Sequence, residues 1–188
     1  MHLRTLAAMT AAVLLAFACA SPGPEPVPPT NYTAQVGEKV SIVENSPVFG
    51  LCAADVAVNR VTVTSGNEFD HPVYAQFVVA DITVTGVRGT VDIVAGLFTL
   101  VAADGTVYQS STTVSYGELN AQGTTAGQTV IGTVTFDTDA GAERGAQLVL
   151  HSLYADVPAG YWNLVGRDPG IPITMVVAPA TGFEPATF

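Results

Sequence analysis

The chain has 188 residues, and 48% of them are hydrophobic, enough to bury a core and too apolar for global disorder. Only 12% are charged, six basic against sixteen acidic, for a formal net charge of −10. That balance removes the electrostatic attraction on which nucleic-acid binding depends and offers no basic patch to anionic lipid headgroups.

Residues 1–20 begin with Arg4, continue as an apolar run over 6–17 broken by Thr10, and end in the small residues Ala16, Ala18, Cys19 and Ala20. The run is too short to span a bilayer comfortably and reads as a signal peptide. Two processing routes are open. Ala18-Cys19-Ala20 fits the small-x-small cleavage rule, before Ser21. Leu15-Ala16-Phe17-Ala18-Cys19 also resembles a bacterial lipobox with Cys19 as the lipidation candidate, although Ala16 and Phe17 depart from its usual residues. Either route places the mature chain outside the cytoplasm, secreted or lipid-anchored on the cell envelope. Residues 21–31 are a Pro-rich linker, expected to be extended and disordered.

The folded domain is expected over residues 32–165. A first strand is predicted at 36–43. Residues 55–64 alternate, with Val56 and Val58 on one register and Val61 and Val63 on the other, which implies a bulge near Arg60. Residues 73–87 are apolar on both sides and read as a central strand with a bulge or bend. Runs at 97–102 and 106–114 flank Ala103-Asp104-Gly105, a hairpin signal. Residues 129–136 and 147–154 alternate cleanly, and Trp162 is placed after the last strand. No segment sustains a 3.6-residue period. The pattern predicts an all-β fold: an immunoglobulin-like antiparallel β-sandwich of about seven to eight strands. Residues 166–188, with Pro169, Pro172, Pro179 and Pro185, form a Pro-rich C-terminal tail.

Four stretches carry a family resemblance. They are Gln35-Val36-Gly37-Glu38-Lys39-Val40, Thr83-Val84-Thr85-Gly86-Val87-Arg88-Gly89-Thr90-Val91, Phe98-Thr99-Leu100-Val101-Ala102-Ala103-Asp104-Gly105-Thr106-Val107-Tyr108, and Ala126-Gly127-Gln128-Thr129-Val130-Ile131-Gly132-Thr133-Val134-Thr135-Phe136-Asp137. In this order and spacing, across most of residues 33–165, the chain resembles the small secreted, immunogenic mycobacterial antigens with an immunoglobulin-like (telokin-like) domain. A related domain of unknown function occurs in actinobacterial lipoproteins. The resemblance implies secretion, a sandwich and no established enzymatic activity, and it supplies no catalytic residues.

The candidate sites are few. If Cys19 is removed or lipidated, Cys52 has no intramolecular disulfide partner, and its apolar surroundings predict a buried, inert thiol. His71 falls in a turn and His151 on a strand with apolar alternate neighbours. Together with Cys52 and Met175 they are too scattered for the clustered loop of a blue-copper protein. Asp137, Asp139 and Glu143 stand at positions 1, 3 and 7 of a loop, a spacing that could wrap calcium weakly. No Gly-x-Ser-x-Gly elbow is present. Tyr154, Tyr161 and Trp162 form an aromatic cluster that either caps the core or presents an interaction patch. The chain is therefore read as a monomeric, exported, non-enzymatic module without a cofactor, which binds a protein or envelope component. The alternatives are a carrier of a small apolar ligand and, further off, a secreted hydrolase.

Overall fold

The computed structural model describes residues 33–111, 117–155 and 157–164. The predicted signal peptide, Cys19, the predicted Pro-rich linker, the C-terminal tail and Met175 lie outside the described residues. Eleven strands are formed within them: β1 (Thr33–Gln35), β2 (Lys39–Ser46), β3 (Gly50–Thr64), β4 (Gln76–Arg88), β5 (Thr90–Val94), β6 (Phe98–Val101), β7 (Val107–Gln109), β8 (Asn120–Thr125), β9 (Thr129–Thr138), β10 (Gln147–His151) and β11 (Pro158–Asn163). A single 3-10 turn, Ala95–Leu97, joins β5 to β6.

A five-stranded sheet, in the order β1-β11-β10-β6-β7, faces a four-stranded sheet, β2-β3-β4-β9, and β5 pairs with β8 as a short separate ribbon. Period-two alternation sends one set of side chains from each sheet inward. Val40, Ile42, Val56, Val58, Ile82, Val84, Val134 and Phe136 come from one sheet; Phe98, Leu100, Leu148, Leu150 and Trp162 come from the other. Phe98 and Trp162 stack obliquely, with ring centroids 6.4 Å apart. Polar residues take the outer face of the four-stranded sheet, where Lys39 pairs with Asp55 and Arg60 with Asp81 across neighbouring strands.

Several sequence features reappear in three dimensions. The register between β3 and β4 shifts between Val58 and Arg60. β4 is central, flanked by β3 and β9. The Asp104-Gly105 turn closes β6 onto β7, with Gly105 at φ +90° and Thr106 N–H donating to the Asp104 carboxylate.

Other features differ. Residues 36–38 form a turn, not a strand: Gly37 has φ +96°, as a type II turn requires, and Glu38 N–H donates to the Gln35 carbonyl. The preceding β1 pairs with β11 in parallel, so the sandwich is not wholly antiparallel. Trp162 lies within β11 and not after the last strand, and it is completely buried.

The topology gathers the loops at two ends. The β3–β4 loop (residues 65–75), the β6–β7 turn and the β9–β10 loop (residues 139–146) share one end. The β2–β3 turn and the β10–β11 loop share the other.

Candidate interaction surface

The β3–β4 hairpin carries the most exposed large apolar side chains of its end. Phe69, Val73 and Tyr74 are 82%, 86% and 65% exposed. Their backbone is nevertheless held at several points. Asn67 Oδ1 accepts from the amides of Phe69 and Asp70, both at 2.8 Å, and Asn67 N–H donates to the Asp70 carbonyl at 2.9 Å. Gly66 sits at φ +102°, and a Cβ there would stand 2.1 Å from the Asp70 carbonyl oxygen, so the loop closes only around glycine. On the far side of the loop, the Asp137 carboxylate accepts from Val73 N–H at 2.6 Å and Tyr74 N–H at 3.0 Å. Ala75 N–H donates to the Thr138 carbonyl.

In this geometry the three acidic residues of the candidate calcium loop each meet a protein group. Asp137 clamps the β3–β4 loop. Asp139 accepts the Tyr108 hydroxyl at 3.0 Å, and burial together with that acidic neighbour pushes the Tyr108 phenol above its ordinary pKa. Glu143 accepts from the Gln76 side-chain amide at 2.6 Å and stands 3.6 Å from Arg144. The three carboxylates turn to three different partners, and no group of three or more His, Cys, Asp or Glu side chains suited to a metal occurs among the described residues.

The aromatic cluster also comes apart. Tyr161 and Trp162 are adjacent on β11, so they point to opposite faces of the sheet. Trp162 enters the core and donates its indole N–H to the Glu38 carbonyl at 3.1 Å. Tyr161 lies half-buried on the outer face, which pushes its phenol up, and Tyr154 lies in the β10–β11 loop. Cys52 is a buried free thiol, and burial raises its pKa, in keeping with an inert core residue. His71 is exposed in the β3–β4 loop, whereas His151 meets Thr99 Oγ1 at 2.9 Å, and burial pushes its pKa down.

At the opposite end a cleft of about 230 Å³ opens between residues 42–45 of β2 and the wall made by Tyr154, Val157, Pro158 and Ala159. It lies at the margin of the sandwich and falls below the ~300–1,000 Å³ of usual small-molecule sites.

A family model for a domain of unknown function, DUF4352, matches residues 50–158. The chain belongs to the DUF4352 family. The DUF4352 match begins at the first residue of β3 and ends at the first of β11. It therefore includes the Phe69 loop and its acidic clamps, and leaves β1, β2 and Trp162 outside. The fold is similar to that of a secreted protein from Mycobacterium tuberculosis, MPT63, with 18% identity, 70% of this chain and 95% of that one covered, and a TM-score of 0.56. It is also similar to the yjhA protein from Bacillus subtilis, with 13% identity, 70% and 99% covered, and a TM-score of 0.51. The sandwich of this DUF4352 domain is thus similar to folds from both Mycobacterium tuberculosis and Bacillus subtilis. No curated protein matches the chain's sequence.

Proposed function

We propose that the chain is an extracytoplasmic, non-enzymatic interaction module that engages its partner with the Phe69 end of the sandwich. The observation that carries this reading is the exposure of Phe69, Val73 and Tyr74 on a loop whose backbone is pinned by Asn67 and Asp137. Exposed apolar side chains cost nothing to desolvate favourably on contact, and aromatic anchors dominate binding energy at interfaces. A loop already held in place loses little conformational entropy on binding. Glu68 and Asp70 flank Phe69 in the loop, so the partner should carry cationic groups beside an apolar centre. The non-enzymatic part of the reading is supported by Asp137, Asp139 and Glu143, whose carboxylates are engaged by the loop amides, the Tyr108 hydroxyl and the Gln76 side chain. Export is supported by the signal-peptide pattern of residues 1–20 and by the likeness in fold to a secreted protein.

The test is crosslinking capture by the mature chain from envelope and culture-fluid fractions, with the Phe69→Ser/Tyr74→Ser double variant beside it. Both side chains are exposed, so the variant keeps its fold, and recovery of a specific partner should fall at least about tenfold. Equal recovery with both proteins would remove the Phe69 end as the binding surface. Intact mass of the protein from each fraction distinguishes an acylated Cys19 from a free secreted form starting at Ser21.

A further inference from the structure

We propose that the end of the sandwich opposite Phe69 rests on the surface of a lipid bilayer. Val48 and Phe49 of the β2–β3 turn and Leu153 and Val157 of the β10–β11 loop enter its interface. Val48 is 77% exposed, and Phe49, Leu153 and Val157 are each about half exposed. The two loops are neighbours: the cleft at this end has Glu44 and Asn45, just before the turn, on one side and Ser152, Tyr154 and Val157 on the other. Four exposed apolar side chains thus gather on two adjacent tips, an apolar patch of the kind that a partner or a membrane covers.

Three observations favour lipid as the partner. The first is charge. Residues 45–51 carry none, and Asp156 is the one charged residue between 152 and 161. Glu44 and Arg88 stand further in, opposite Cys52 and Ala53 of β3. The Phe69 loop, by contrast, sets Glu68 and Asp70 beside its apolar residue. The second is that the tips satisfy their own amides, as a water-poor interface demands. Ser46 Oγ accepts from Val48 N–H at 3.2 Å and Phe49 N–H at 3.1 Å, and Pro47 has no N–H to satisfy. Ser152 Oγ accepts from Tyr154 N–H and Ala155 N–H, both at 3.1 Å, and Ser152 N–H donates to the Val157 carbonyl. Tyr154 adds a ring with a hydroxyl, the chemistry that suits headgroup level. The third is the anchor. The start of β1, at Thr33, faces this end, and the lipidation candidate Cys19 stands fourteen positions earlier in the sequence. That many residues reach at most about 50 Å, so an acyl chain on Cys19 keeps this end within range of the bilayer. The net charge of −10 gives anionic headgroups nothing to attract, so the contact is apolar and suits zwitterionic lipid.

The experiment takes the mature chain beginning at Cys19 and couples that thiol, at sparse surface density, to a maleimide lipid in phosphatidylcholine vesicles. Cys52 is buried and does not compete. Supplying the anchor chemically keeps the outcome independent of whether Cys19 is acylated in the cell. Amide exchange in residues 47–51 and 152–157 should slow at least about threefold against the uncoupled chain, while residues 67–74 at the Phe69 end exchange as before. In the Val48→Ser/Phe49→Ser variant, whose replaced side chains are exposed, most of that slowing should be lost. No slowing at the two tips, or slowing at residues 67–74 instead, overturns the proposal. Slowing at the tips of the uncoupled chain that grows with protein concentration overturns it in favour of a contact between copies.

Discussion

Asp137 accepts two backbone N–H groups from a loop more than sixty positions earlier in the chain. Spacing alone presents it, with Asp139 and Glu143, as part of a cation loop, because spacing records neighbours along the chain and not across it. The donors that settle its role, Val73 and Tyr74, become visible only when β4 lies against β9. An ionised carboxylate holding two amides on a partly exposed loop contributes about 1–2 kcal/mol. Asp137→Ala should lower stability by about that amount in urea denaturation. It should also raise amide exchange at Val73 and Tyr74 by about tenfold or more, with the core strands little affected. Asp137→Asn keeps one acceptor oxygen and should fall between.

At the scale of elements, strands that alternate or flank a turn signal are legible, and β1 and β11 are not. Residues 129–136 appear in β9, whereas of the 147–154 run only Gln147–His151 forms β10, with Leu148, Val149 and Leu150 all buried, and 152–154 belong to the β10–β11 loop. β11 reads Pro-Ala-Gly-Tyr-Trp-Asn, with a proline, a glycine and no β-branched residue, so neither pattern nor propensity marks it as a strand. Missing β11 also hides β1, whose three residues pair with no other strand among the described residues. Yet β11 contributes Trp162, one of the largest fully buried side chains, packed on Phe98 and hydrogen-bonded to Glu38. Trp162→Ala should cost about 3–5 kcal/mol, from lost burial and the cavity left behind. Trp162→Phe restores much of the volume but leaves the Glu38 carbonyl unbonded, and should cost about 1–3 kcal/mol. Midpoints of urea denaturation check both.

For the whole molecule, the all-β sandwich follows from composition and alternation, whereas the surfaces that could bind something follow from which loops meet at each end. The Phe69 cluster is an example: Glu68-Phe69-Asp70-His71-Pro72-Val73-Tyr74 reads as an ordinary turn until its exposure and its clamps are seen together. One titration belongs to this scale. Burial lowers the pKa of His151 below the unfolded value of 6.5. The unfolded chain therefore binds the proton first, and His151 begins to lower stability as pH falls through 6.5, reaching its full effect below the folded pKa. Replacing it in His151→Gln should reduce the stability lost between about pH 7.5 and about pH 5.5, measured by urea denaturation at each pH. An unchanged pH profile would mean that the folded site accepts the proton freely. Finally, the parallel pairing of β1 with β11 sets how the domain bears a load. The start of β1, at Thr33, faces the end that holds the β2–β3 turn, and the end of β11, by Leu164, faces the Phe69 end. Tension on the two ends thus pulls β1 and β11 past one another lengthwise, so their hydrogen bonds share the force together instead of parting one at a time like a zip.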